Sequence, residues 1–343
     1  MALLLKPGDV VRISGLKVDS ASLNGQLGVV VSSHSPKSKE RNENQAINPE
    51  DQRWVIRTMG GKKDAPYAIR RCNLKTGRQG PTHLRTILIV AASLSLAACG
   101  FAHSMGPGCL ACGLAPACSL FWYIATIAMC YWLHSPILAE GVVICAISEM
   151  GVSQPARTVY RVGFGLCGLF LAVTVLQLQL LATSNPIPDE TKADVPLDPG
   201  ITWGLVAAGG VALQGICTLN LDVGLECLVH LAGAVIAMYG TILHADRSNS
   251  WFSALPAYSP LLQNQVASWG LWLRRDAIKA AVAGTGQSVF LLFLIPLGLQ
   301  LGGRLGIGLG GHTSENIMGL MQWTIVAGIA AFFCSYTFDL VAS

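Results

Sequence analysis

The chain has 343 residues, of which 52% are hydrophobic and only 12% charged, and its mean hydropathy is +0.50. These values exclude an ordinary soluble globular domain, in which charged residues make up about a quarter, and a disordered chain, which needs low hydrophobicity and high net charge. The formal net charge of +4 hides an asymmetry: residues 1–85 hold 15 Lys+Arg against 7 Asp+Glu, whereas the remaining residues hold 8 against 12. The composition therefore predicts a basic, soluble head on an apolar body, with the boundary near Arg85.

The opening Met1–Leu5 run, ending at Lys6, is too short in apolar length to read as a secretory signal. Short strands separated by turn residues follow: Asp9–Ser14, Gly25–Ser32, Trp54–Arg57 and Tyr67–Arg70, with a polar loop over Ser35–Gln52. The string Leu23-Asn24-Gly25-Gln26-x-Gly28-x-Val30, with Arg53-Trp54-x-Ile56 and Asn73-Leu74, resembles small SH3-like barrels. That resemblance implies a module for peptide, RNA or protein partners. The +8 balance suits anionic lipid headgroups or nucleic acid. A basic flank is nevertheless expected on any cytosolic membrane face, so the head is read as docking a protein partner or anionic lipid, and no nucleic acid is expected.

Beyond Arg85 the apolar stretches Val159–Ala182, Ile201–Leu219, Cys227–Leu243, Ala277–Leu301 and Ile317–Tyr336 are each about long enough to cross a ~30 Å hydrocarbon core as helices. Leu120–Leu133, with aromatic residues at both ends, makes a sixth. Thr86–Ala102 is either a seventh span or a re-entrant piece within a Gly/Cys-rich insertion, residues 81–117. Basic residues before Thr86 and around Arg247, Arg274, Arg275 and Lys279 favour six spans with both termini cytosolic. That arrangement places Ser148, Glu149, Arg157 and Arg161 on the opposite side from the head.

Cys99, Cys109, Cys112 and Cys118 cluster in sequence, but no second cysteine pair or histidine set completes a zinc site. They read as buried thiols or acylation sites. Gly163-x-Gly165-x-x-Gly168 matches a dinucleotide fingerprint in letters only. It lies inside an apolar span, where small residues let helices approach closely. No nucleophile elbow, zinc-protease or P-loop spacing occurs, and no cofactor or metal is expected.

Of the ionisable groups, His230 is the one histidine well inside a predicted span, expected neutral and hydrogen-bonded to another helix, with proton or acyl transfer as the alternative. His134 with Glu140 is a weaker pair. An acid and an arginine as close as Glu149 and Arg157 or Arg161 predict an ion pair closing the bundle mouth, or an arginine contact to a lipid phosphate. Glu140, Glu149, Asp222, Glu226 and Glu315 are read as solvated acids, with a cation site as the alternative.

The stretch Ile147-Ser148-Glu149-x-Gly151, then Pro155 and Tyr160-Arg161 leading into a span, resembles the Frag/DRAM/Sfk family. His230-x-x-Gly233-Ala234 is similar to a second motif of that family. Trp323 with Phe332-Phe333-x-x-Tyr336-x-x-Asp339 is similar to its final span. Gln322 departs from the pattern, which commonly has an acid there. The resemblance covers roughly residues 118–340 and implies a six-helix membrane bundle, with Ser148, Glu149, Gly151, Pro155, Arg161, His230, Trp323 and Asp339 as motif residues.

The resulting expectation is an all-α polytopic membrane helix bundle with a small N-terminal all-β SH3-like barrel. Residues 1–80 would form the barrel, 81–117 the insertion and 118–343 the transmembrane domain. Its partners would be membrane lipids, and it would lie in an endomembrane or the plasma membrane with the barrel cytosolic. Functionally, the resemblance implies a non-catalytic regulator or scaffold in endomembrane lipid handling or autophagy. The alternatives are a participant in GPI-anchor lipid remodelling and, last, a small-solute or ion transporter, for which the chain shows no repeated broken helices.

Overall fold

The structure, a computed structural model, describes residues 5, 10–13, 16, 23, 27–34, 53–58, 67–70, 74–76, 81–104, 113–138, 141–186, 198–218, 225–255, 269–279 and 311–342. The predicted Ser35–Gln52 loop, Cys109, Cys112, Glu140, Asp222 and nearly all of the predicted span Ala277–Leu301 lie outside the described residues.

The head contains five strands: β1 (Val10–Ile13), β2 (Leu27–His34), β3 (Arg53–Thr58), β4 (Tyr67–Arg70) and β5 (Leu74–Thr76). They form one antiparallel sheet in the order β4-β3-β2-β1-β5. Alternation decides which side chains go inward. Val11, Ile13, Val30, Trp54, Ile56, Ile69 and Leu74 make one apolar core, while Arg53, Arg57 and Ala68 between them are exposed. Ile56 packs against Gly28 of β2 so closely that a Cβ at that glycine would lie 2.3 Å from its Cγ2. Arg12, between Val11 and Ile13, must point away from that core, and this direction carries it onto the helical body.

The body is built from α1 (Leu84–Ser104), α2 (Leu114–His134), a 3-10 turn (Ser135–Ile137), the single-turn α3 (Ile147–Met150), α4 (Ala156–Ser184), α5 (Ile201–Ile216), α6 (Leu225–Ala254), α7 (residues 269–279) and α8 (Gly311–Ala342). Five of these, α1, α2, α4, α6 and α8, are long and apolar enough to cross a membrane, and α5 is a shorter apolar helix of 16 residues. Among the described residues, then, the helices are those of a multi-pass membrane protein. Leu94, Phe101, Leu225, Leu228, Val235 and Tyr239 lie on exposed faces of α1 and α6, apolar surface that lipid would cover. The Thr86–Ala102 stretch forms a full 21-residue helix paired antiparallel with α2, so it is a hairpin partner long enough to span.

Small residues set the crossings. In α4, Gly163 sits against Thr126 of α2 and Gly168 against Ala208 and Ala212 of α5, as expected from reading the glycine string as a packing motif. Gly210 and Gly233 bring the backbones of α5 and α6 into direct contact: a Cβ on Gly210 would lie 2.4 Å from the Ala237 nitrogen. Because α1 and α2 form a complete hairpin, the chain is back at the head when it leaves α2. The loop 135–155, the junction of α5 with α6 and the start of α8 gather at this head end. Residue 113, the loop before α5, the end of α6 and the end of α8 lie at the distal end. Three bonds fix this polarity: Thr337 Oγ1 donates to the Gly113 carbonyl at the distal end, 3.5 Å, and the Val143 and Ile144 amides donate to Asn316 Oδ1 at the head end, 2.8 Å each. The hairpin reverses the expected sidedness. Ser148 and Glu149 share the head's end of the body, and Arg274 lies at the far end.

Candidate functional site

The head-end loop brings most of the motif residues together. Arg12 of β1 donates from Nε to the Ile137 carbonyl, and its Nη2 lies 3.5 Å from Glu149 Oε1. The same carboxylate oxygen is 3.9 Å from His134 Nε2, within ion-pair range but beyond hydrogen-bond length. His134 Nδ1 lies 3.3 Å from Ser153 Oγ. The arginine side chain is 8% exposed and the carboxylate 22%, so the pair works in a partly desolvated crevice where charge attraction is stronger than at an open surface. Glu149 is thus the hinge point of a contact joining sheet, α2 and α3.

This corrects one expectation. The arginine that meets Glu149 comes from the head rather than from the loop. Arg157 donates instead to the Val152 carbonyl at 2.7 Å, and Arg161, largely exposed, reaches Glu226 at 3.9 Å, tying α4 to the start of α6. His134 faces Glu149, while Glu140 lies outside the described residues.

The remaining head-end motif residues hold the loop in shape. Ser148 donates from its amide and its hydroxyl to Gln322 Oε1, both at 3.4 Å. Gln322 Oε1 thus accepts both of these bonds. Trp323 donates its indole N–H to the Cys145 carbonyl at 3.1 Å, and Asn316 Nδ2 donates to the Gly141 carbonyl at 2.9 Å, so α8 grips the loop over two turns. Gly151 is required by the Tyr160 ring, whose nearest carbon would lie 2.9 Å from a Cβ there. Pro155 occupies the N-cap position of α4.

His230 follows a different logic. Helix α5 is too short to carry its last carbonyls out of a hydrocarbon core, where unsatisfied C=O groups are costly. His230 Nδ1 lies 2.9 Å from the Gln214 carbonyl and 2.7 Å from the Cys217 carbonyl, and since carbonyls only accept, Nδ1 carries the proton. At the other end of α5, Asp198 Oδ1 accepts from the Gly200 and Ile201 amides. His244 Nδ1 donates to the Gly200 carbonyl at 2.9 Å. Gly200 has φ +74, the left-handed region that glycine adopts without strain. Positions 230 and 244 on α6 match 214 and 200 on antiparallel α5, so two histidines of one helix pin both ends of its neighbour. The expected hydrogen bond from His230 to another helix is present. Among the described residues no hydrogen bond or ion pair connects His230 with Ser148 or Glu149.

The distal end holds a second polar group that the sequence reading did not assemble. Arg274 of α7 donates from Nη1 to Asp339 Oδ2 of α8, with side chains 0% and 1% exposed. Its guanidinium lies over the rings of Phe252, at 4.1 Å, and Tyr336, at 5.2 Å. Tyr336 Oη donates to Ser248 Oγ at 2.9 Å and lies 3.1 Å from His244 Nε2. Among the described residues, Arg274 Nε and Nη2 have no hydrogen-bond partner. Asp339 is a motif residue; the sequence places Arg274 in a cytosolic basic flank, and His244 lies one residue past the predicted end of its span. Part of the signal is present in helical spacing: Asp339 and Tyr336 are three apart, so one face of α8 carries both the carboxylate and one of the two rings that cover its partner.

Among the described residues no group of His, Cys, Asp and Glu is placed to hold a metal ion. Comparisons of the chain with family models, with curated proteins and with solved structures give no match.

Proposed function

We propose that this protein is a non-catalytic membrane scaffold of endomembrane lipid handling or autophagy, in which a cytosolic SH3-like head is held on the end of a helical bundle. One observation supports this most strongly: the polar groups singled out as chemistry-bearing are consumed by structural bonds. Glu149 is taken by Arg12 and faces His134, Ser148 by Gln322, Arg157 by a backbone carbonyl, and His230 by the open end of α5. Acyl-ester chemistry needs a nucleophile and a base within hydrogen-bond reach of one another, and Ser148 and His230 are separately occupied. The strand order β4-β3-β2-β1-β5, in which a meander of four is closed by β5 on β1, fits the SH3-like reading of the head. The basic balance of residues 1–85 favours the cytosolic side for it.

The experiment is depletion in the native cell, reading both the acyl-chain composition of GPI anchors and autophagic flux. The expected result is an unchanged anchor profile with altered flux, restored by the wild type and not by Arg12→Ala. A changed anchor profile restored only by chains retaining His230 would overturn the reading in favour of lipid remodelling.

A further inference from the structure

We propose that Cys99 and Cys118 are a redox pair that closes to a disulfide and thereby fastens α1 to the rest of the bundle. The register of the α1–α2 hairpin places them opposite one another. Trp122 Nε1 donates to Ser95 Oγ at 3.2 Å, a bond between facing positions of the two antiparallel helices. One turn towards the hairpin tip, four residues later in α1 and four earlier in α2, the facing positions are 99 and 118. The two thiols lie within interaction range of one another there. Both are free thiols, Cys99 buried and Cys118 half-buried. Cys130 and Cys167 donate instead to the backbone carbonyls of Ala156 and Ser119.

The location gives the bond an effect. Only 17% of the α1 span is buried within the protein, against 39% for α2, 56% for α4 and 50% for α8. Noncovalent packing therefore holds α1 least among these helices, and a covalent tie near its distal end removes the freedom it retains. Access is short: Cys99 lies five residues before the end of α1 at Ser104, roughly 7 Å along the axis at the rise of an α-helix. Cys118 lies four residues after the start of α2. With the head in the cytosol the hairpin tip faces a lumenal or extracellular compartment, where disulfides persist.

The oxidant is a small disulfide of the glutathione class. The Cys118 thiolate, the more exposed of the two, attacks one sulfur of the oxidant, forming a mixed disulfide and expelling one thiolate. The Cys99 thiolate then attacks Cys118 Sγ, forming the Cys99–Cys118 bond and expelling the second thiolate. The pair is oxidised by two electrons, the small disulfide is reduced to two thiols, and the protons of the two cysteines pass to the leaving thiolates.

The test uses the full chain in lipid nanodiscs equilibrated with glutathione buffers from fully reduced to fully oxidised, acid-quenched and alkylated with a maleimide. The expected result is the loss of two alkylatable thiols per chain in oxidising buffer, recovery of a peptide linking Cys99 to Cys118, and amide exchange across α1 slowed at least several-fold. The same link should form when Cys109 and Cys112 are both replaced by Ser, and Cys99→Ser should leave Cys118 as a glutathione adduct or open to alkylation. Full alkylation of both thiols in every buffer would overturn the proposal. So would a link from Cys118 to Cys109 or Cys112.

Discussion

The two ends of the helical body solve the same problem, holding charge next to a membrane, in opposite ways. At the head end, Glu149 is 22% exposed, meets Arg12 across a domain boundary, and has His134 within ion-pair range. At the distal end, Arg274 and Asp339 are withdrawn almost completely from solvent and roofed by Phe252 and Tyr336. A partly wet pair can open and close at little cost, because water replaces each partner. A dry pair cannot, because a lone buried charge is strongly unfavourable. The head end is thus built as a joint between two bodies, and the distal end as a clamp between helices.

Mutations at the two ends should separate these roles. The largest effect is expected from Asp339→Ala, which strands the Arg274 guanidinium in the core and should cost about 3–5 kcal/mol of stability. Thermal unfolding in detergent would show it, and the joint replacement Arg274→Met with Asp339→Leu should recover most of the loss. An equal loss in the double variant would mean that helix packing rather than charge is at stake.

Next comes Gly233→Leu. It inserts a side chain where a Cβ would already lie 2.7 Å from the Gln214 nitrogen, and it should cost about 1–3 kcal/mol by forcing α5 from α6. A loss of similar or smaller size is expected for His230→Leu, which leaves the Gln214 and Cys217 carbonyls without their donor, about 1–3 kcal/mol at most. Hydrogen exchange should then rise at the end of α5 near Ile216 while the Gly200 end, held by His244, stays protected. Loosening of both ends together would contradict the separate pinning of each terminus.

Ser148→Ala should be nearly silent, within about 0.5 kcal/mol, because both of its bonds to Gln322 are long at 3.4 Å. A large loss there would sharpen interest in Ser148 as more than a loop fastener.

How legible each end was in the sequence follows from the same contrast. The head-end residues lie in a polar loop between apolar runs, so Ser148, Glu149, Gly151, Pro155 and Arg161 stood out. Their partners did not, because Arg12 and Asn316 are about 130 residues or more away along the chain and reach the loop only through folding. The alternation of β1 did imply that Arg12 faces away from the strand core, but not what it would face. At the distal end, an arginine beside a span, such as Arg274, reads as an interfacial charge unless its depth is known. Sidedness failed for a countable reason: treating Thr86–Ala102 as re-entrant removes one crossing and inverts every later loop. The helices themselves were legible because runs of apolar residues are the direct signature of a spanning segment. His230 was legible in kind, as an intramembrane bond donor, though not in purpose, since only the short length of α5 explains why its end needs one.

The attachment of head to body through Arg12 and Glu149 is most directly tested by a double-mutant cycle read by hydrogen exchange of the β1 amides, Val10–Ile13. Arg12→Ala and Glu149→Ala should each lower their protection, and the double variant should lose no more than the worse single one, a coupling of about 0.5–2 kcal/mol. Strictly additive losses, or no change in β1 when Glu149 is removed, would contradict a head latched to the motif loop.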